Sequence, residues 1–306
     1  MEFSLAPLRG ITGKEFRTAL THNYSGIDVC MLPFFSITEN TLPKFKNFTA
    51  GFTDEELLFK CNYLTIPQLI GNNPQALARV SKMFVDNGFS NININLGCPM
   101  PQITKKKRGS GLLIHPEIIE RILNELIKVE GLKLSLKVRL GLKSSDDIFN
   151  LVEMFNSFQI DEICIHPRLA IDRYEGNVRL DVSDELIKIL KHKLIYNGDI
   201  TSLEFFDMIK ERYNSINSFM VGRGLVANPA LVEEIISGQS LEKDVKLKRF
   251  KEFYKELVFQ LERRTNDPLP MLKSYWQYFC TNFDEPETIY RKMVTSQSIS
   301  EMALGE

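Results

Sequence analysis

Long apolar runs are missing from this 306-residue chain. None approaches the roughly 18 to 20 residues needed to cross a bilayer, so no membrane span is expected. The opening MEFSLAPLRG is acidic at position 2 and lacks the basic start and apolar centre of a signal peptide. Cysteine is scarce and scattered. Cys30, Cys61, Cys98, Cys164 and Cys280 are odd in number and contain no CxxC pair. Neither a disulfide framework nor a structural zinc site is therefore expected, no metal is called for, and a reducing cytoplasm is the expected compartment. Charge bias is also lacking. At a net charge of -1, any polyanionic partner must be met by local positive charge. No glycine fingerprint for a dinucleotide follows the first apolar run, and no internal repeat or low-complexity segment stands out. What remains is 43% hydrophobic and 25% charged, an ordinary globular composition. The length suits one large domain, or a large one with a small companion.

Short apolar runs alternate with amphipathic stretches. FSLAP, GIDVCMLPF, TIPQLIG, NININLG, LSLKVRLG, EICIHPR, LIYNGD and SFMVGRG read as strands. Helices are expected between them at 74–86, 116–129, 146–158, 183–191, 202–211 and 229–236, several opening on Pro, Asp or Ser. Eight strands, each followed by a helix or room for one, predict a (β/α)8 TIM barrel rather than an open doubly wound sheet. The pattern changes near residue 239, where strands stop. Leu272, Tyr275, Trp276 and Phe279 then form one apolar stripe at helical spacing. The expected division is a barrel over 1–239 and a small helical domain over 240–306.

In such barrels the working residues gather at the C-terminal ends of the strands. NININLGCP alternates apolar and polar residues and then leaves the sheet at Gly-Cys-Pro, a position that presents the Cys98 thiol rather than hiding it. Lys137 and Arg139 are two apart on a strand and share one face. On an edge strand they would simply be solvated. Inside a barrel mouth they need an anionic partner, because an unpaired buried charge is costly. YNGD and VGRG end the seventh and eighth strands, where barrels commonly hold phosphate.

Taken together, LAPLRGITGKEFR, PQLIGNNP, NLGCP with GSGLL downstream, LKVRLG, IHPR, NGDI and VGRGLVANP resemble the tRNA-dihydrouridine synthases over nearly the whole chain. The resemblance implies an FMN-binding barrel, a C-terminal helical domain that holds tRNA, and NADPH-dependent reduction of a uridine to dihydrouridine. It implies that Ala6, Pro7 and Leu8 run along the flavin and that Gln68 bonds its ring edge. Lys137 and His166 would sit beside the ring, and Asn197, Gly198, Asp199, Gly222 and Arg223 would take the ribityl chain and phosphate. Asn95 would hold the uracil, with Arg139 and Arg168 on the substrate side. Cys98 would be the general acid, giving a proton to C5 after hydride reaches C6. A thiol of ordinary pKa, about 8.5, is still protonated at neutral pH and suits that task.

Next to a loop that must meet a polynucleotide, Lys105, Lys106, Lys107 and Arg108 are expected to touch phosphates, with Lys273 as a further contact. His22, His115 and His192 are expected at the surface, and the other four cysteines and Trp276 in the core. Two departures from the resembled pattern stand at the rim. Gly13 replaces a common Asp, and MLPFFSITEN lacks the usual Thr-Glu-Met. Alternative readings are an FMN enzyme of free pyrimidines or dihydroorotate and a non-catalytic tRNA-binding protein. A monomer is the default expectation.

Overall fold

The computed structural model of the protein describes residues 1–304. Its ten strands are β1 (Glu2–Leu5), β2 (Val29–Met31), β3 (Phe35–Ser36), β4 (Leu64–Ile66), β5 (Gln68–Ile70), β6 (Asn91–Leu96), β7 (Lys133–Gly141), β8 (Glu162–Leu169), β9 (Lys193–Tyr196) and β10 (Ser218–Val221). All pair in parallel, in the order β3-β5-β6-β7-β8-β9-β10-β1-β2-β4. The two ends of that order are halves of neighbouring strands. GIDVCMLPF is interrupted between β2 and β3, and TIPQLIG at Pro67, which has no N–H to give a ladder. The halves pair with each other, and the Leu32 N–H also donates to the Ile66 carbonyl at 2.9 Å. The sheet therefore closes into the eight-position barrel that the alternating pattern predicts.

Side-chain alternation fixes the register. On β7, Leu134, Leu136, Val138 and Leu140 are buried against the surrounding helices, while Ser135, Lys137 and Arg139 turn inward. A slip by one residue would place the two cations in the helix layer and the leucines in the mouth. Each buried aliphatic contributes roughly 1.5–3 kcal/mol, so four of them decide the matter. On β6, Ile92, Ile94 and Leu96 face the helices and Asn93 and Asn95 the interior. The inward amides satisfy one another. Asn95 Nδ2 donates to Gln68 Oε1 at 2.8 Å, Gln68 Nε2 to Asn93 Oδ1 at 2.8 Å, and Asn93 Nδ2 to Ser135 Oγ at 2.9 Å.

Helix starts follow their signals. Asn73 caps Pro74–Asp86 by accepting from the Ala76 N–H at 2.8 Å, and Ser202 caps Leu203–Arg212. The helix expected at 116–129 ends at Leu126. That expected at 146–158 is split into Asp146–Phe149 and Val152–Ser157, its first part tied down by Asp147, which accepts from the Leu142 N–H at 2.7 Å.

Beyond the barrel run helices Lys243–Arg264, Leu269–Phe279 and Pro286–Thr295. Leu272, Tyr275, Trp276 and Phe279 are all buried, as their spacing predicts. They share one apolar cluster with helix Lys14–Asn23 and strands β1 and β10. Phe16 packs on Phe253 and Tyr275 at ring distances of 5.6 and 5.9 Å. Among the described residues no helix is long and apolar enough to cross a membrane, and no group of three or more His, Cys, Asp or Glu could hold a metal ion.

Candidate active site

The strand ends surround two adjoining cavities. The smaller, about 70 Å³, is lined by every expected cofactor residue except Gln68: Ala6, Pro7, Leu8, Lys137, His166, Asn197, Gly198, Asp199, Gly222 and Arg223. The larger, about 520 Å³, opens beside it and adds Asn95, Cys98, Met100 and Arg139. Pro7, Leu8, Lys137, His166, Tyr174 and Arg223 border both. Gln68 is fully buried one layer below, its amide committed to Asn93 and Asn95. It reaches the cavity only through Asn95.

Cys98 is held at both ends of its peptide. Asn95 Oδ1 accepts from the Gly97 and Cys98 N–H groups at 3.0 and 2.8 Å, and the Cys98 carbonyl accepts from Ser110 N–H and Oγ–H at 3.1 and 2.8 Å. This contact explains the downstream glycine pair. Gly109 adopts φ +55° so close to the cysteine that a Cβ would meet the Cys98 carbonyl oxygen at 2.8 Å and the Cys98 Cβ at 2.9 Å. The thiol lies half-buried on the cavity wall. Burial pushes its pKa up, against smaller downward pulls from the Met100 backbone and the charges of Arg139 and Arg9. It stays a protonated thiol at neutral pH.

Facing it are cations in excess. Arg139 is 1% exposed and has no carboxylate partner among the described residues. One of its N–H groups donates to the Leu169 carbonyl at 2.8 Å, and its guanidinium lies 5.3 Å from the Tyr174 ring centre. Burial, with the Arg168 charge nearby, pulls its pKa down to about 10. Lys137 Nζ donates to Asn197 Oδ1 at 2.6 Å, and Asn197 is oriented by donating Nδ2–H to the Met220 carbonyl. Burial and the Arg139 charge depress the Lys137 pKa. Arg168, by contrast, is paired. It meets Asp199 through both oxygens and also donates to the Glu175 and Gly176 carbonyls. Like Arg139 it is 1% exposed. Asp199 takes a left-handed backbone, φ +48°, which Asp tolerates better than most residues, and also binds Arg223 at 2.8 Å.

His166 is 8% exposed. Its Nε2 lies 3.2 Å from Arg168 NH1, a group that can only donate, so Nε2 accepts and the ring proton sits on Nδ1. Burial first, then the charges of Arg139, Lys137, Arg168 and Arg223, hold its pKa far below the ordinary histidine value. The imidazole is neutral and donates without carrying charge.

Lys105, Lys106 and Lys107 are exposed just beyond the cysteine loop, and Arg108 is half-buried against Asn72 and Ser36. Lys273 is half-buried on Leu269–Phe279, the helix whose end brings Tyr278 to the cavity. Sequence reasoning missed Tyr174, Arg9, Phe34 and Tyr278. Tyr174 lies in the loop after β8, between Arg139 and Arg223, with its carbonyl accepting from Arg223. No local pattern marks it. His192 departs from its expected surface role: its half-buried ring nitrogens lie 2.9 and 3.0 Å from the Ile160 and Phe155 carbonyls. Cys30, Cys164 and Cys280 are buried, whereas Cys61 is half-exposed.

The architecture matches solved structures at the level of fold. TcOYE with pHBA superposes with a TM-score of 0.54 at 12% identity, over 79% of this chain and 90% of that one. Morphinone reductase in complex with tetrahydroNAD gives 0.52 at 10% identity, over 79% and 88%. Sequence similarity is more specific. A tRNA-dihydrouridine synthase B of Pasteurella multocida is 29% identical over 78% of this chain and 70% of its own length. A tRNA-dihydrouridine(16) synthase of Pseudomonas syringae pv. tomato is 26% identical over 90% and 83%. The dihydrouridine synthase (Dus) family model matches residues 4–273, which include every strand end described above, and the chain therefore belongs to the dihydrouridine synthase family.

Proposed function

We propose that this protein reduces one uridine of a tRNA to 5,6-dihydrouridine, with FMN in the barrel mouth and NADPH as the reductant. Family membership supports tRNA dihydrouridine synthase activity. The finer reading rests on one observation: a thiol kept protonated and two cations without carboxylate partners among the described residues, Lys137 and Arg139, border the same cavity.

The donor set fits an anionic flavin nucleotide. Arg223 is one-third exposed and can share its guanidinium between Asp199 and a phosphate. A Cβ at Gly222 would press on Ala6 at 3.3 Å, so glycine there keeps the cradle open. Lys137 is the cation available to a ring that gains negative charge. When bound and reduced, the flavin supplies hydride to C6 of the uracil.

The chain's own residues supply the rest. Asn95 spends one amide hydrogen on Gln68 and has a second for a base carbonyl. Neutral His166 offers a further donor from Nδ1. Cys98 Sγ–H gives its proton to C5 as the new C–H bond forms, and the thiolate left behind lies in the field of Arg139 and Arg9 until solvent reprotonates it. Lys105, Lys106, Lys107, Arg108 and Lys273 contact tRNA phosphates, and the helices of 240–306 hold its body. The enzyme acts as a cytoplasmic monomer.

Two measurements test the reading. Purified protein is expected to be yellow, or to become so with FMN, and NADPH is expected to bleach it. Dihydrouridine mapped at single-nucleotide resolution, with and without the gene, is expected to vanish from one tRNA position. A colourless protein that cannot be reconstituted, together with an unchanged map, overturns it.

A further inference from the structure

The cavity mouth carries a second pairing of an arginine with an aromatic ring, apart from the one on the anion-binding side. Arg9 lies with its guanidinium carbon 5.3 Å from the centre of the Phe34 ring. Arg9 follows β1 and Phe34 follows β2, whereas Tyr174 follows β8. β2 with β3 forms the second barrel position and β8 the sixth. They are four steps apart in a ring of eight, so the two pairings face each other across the mouth.

Phe34 is not explained by packing. Its neighbour Phe35 turns into an aromatic cluster, meeting Phe48, Phe52 and Phe84 at 5.2 to 6.1 Å. Among the described residues Phe34 has no ring–ring partner. It is half-buried on the wall shared with Asn95, Cys98 and Met100. Arg9 is exposed and has no ion pair among the described residues. A flat apolar ring next to a free cation, at the lip of a wet cavity, is the equipment with which proteins hold unstacked bases of single-stranded RNA. A uridine delivered to Cys98 must leave its stack, and its neighbour then loses a stacking partner.

We propose that Phe34 and Arg9 form a stacking subsite for the nucleotide adjacent to the target uridine, the ring taking the base face and the guanidinium its phosphate. This rests on tRNA being the substrate. Phe34 lies in MLPFFSITEN, the stretch that departs from the resembled Thr-Glu-Met, while Arg9 lies in LAPLRGITGKEFR.

The test compares Phe34→Leu, which keeps bulk but loses the π face, with Phe34→Trp, which keeps the face, and with Arg9→Gln. Full-length protein is titrated with unmodified tRNA transcript and with FMN, and steady-state constants are measured. Base–aromatic stacking of the usual strength predicts that Phe34→Leu raises the tRNA Kd and KM roughly 5- to 150-fold. FMN affinity and kcat should stay close to wild type, Phe34→Trp should bind tRNA like wild type, and Arg9→Gln should flatten the salt dependence of binding. A 2-aminopurine beside the target uridine should change its emission with wild-type protein and not with Phe34→Leu. A Phe34→Leu protein that binds tRNA as well as wild type overturns the subsite while the enzyme reading stands. Wild-type protein that makes no dihydrouridine overturns both.

Discussion

Arg139→Met should make the ligand-free protein more stable while crippling its use of anionic ligands. The guanidinium is buried with a single carbonyl and a ring for company. A fall in pKa from the ordinary guanidinium value to about 10 corresponds, at 1.36 kcal/mol per pH unit, to about 3 kcal/mol of unfavourable environment. The favourable contact with Tyr174 is already counted in that shift, and the substitution further forfeits the bond to the Leu169 carbonyl, about 1 kcal/mol. The net expectation is a gain of about 1–2 kcal/mol, or roughly 1.5 to 3 °C in Tm for a chain of this length.

The sign can be checked with pH. Because the folded chain holds this proton less firmly than the unfolded chain does, wild-type stability gains from this group as pH rises far into the alkaline range. At neutral pH the penalty is present in full, and Arg139→Met should lack this term. Thermal and urea unfolding of flavin-free, tRNA-free protein reads the gain. Equilibrium titration with FMN and with tRNA reads the loss. A Tm lowered by several degrees without ligands would refute the reasoning, because the cation would then be a structural brace rather than a waiting anion site.

Removing the proposed acid, Cys98→Ala should depress single-turnover reduction of tRNA by roughly 10²- to 10⁴-fold with flavin content unchanged. Because burial raises the Cys98 pKa, wild-type turnover should hold through neutral pH and decline only above the ordinary thiol value, about 8.5. The same raised value means the folded state keeps its proton longer, so that contribution to stability is lost as pH climbs through it. Asp199→Asn strips the charge from the partner of buried Arg168, which should cost about 3 kcal/mol in urea unfolding, and an unchanged midpoint would contradict the pairing. Gly109→Ala meets the Cys98 backbone at a left-handed residue and should slow the chemical step at least tenfold without altering tRNA affinity. Stopped-flow oxidation of the reduced enzyme by tRNA separates the two effects.

The barrel was legible because alternation on NININL and LSLKVRLG survives into the structure as an inward and an outward face. The breaks in the second and third strands were marked only by Pro33 and Pro67, and a single proline does not say whether a strand ends or merely loses one ladder bond; that depends on which carbonyls lie across from it. Among the candidate residues, Arg139 and Arg168 look alike in sequence. Each ends a strand two residues after another inward polar group. What separates them is Asp199, 31 residues beyond Arg168 and 60 beyond Arg139, which reaches only the second. Pairing across a barrel mouth is a property of closure and leaves no local trace. Gln68 teaches the same lesson: the resemblance implies a place at the flavin's ring edge, and the structure commits its amide to the inward asparagines of the layer beneath the cavity, a pairing no local pattern marks.

The Tyr275 hydroxyl donates to the carbonyl of Ile11 at 2.7 Å, and Ile11 itself borders the larger cavity. Add the Phe16 face buried under Phe253, and the terminal helices become part of the barrel's foundations, not a detachable appendage. Cutting the chain near residue 240 should therefore yield a sticky remnant that precipitates rather than a smaller working catalyst. Whatever leans on those helices pushes on the rim of the reaction chamber as well.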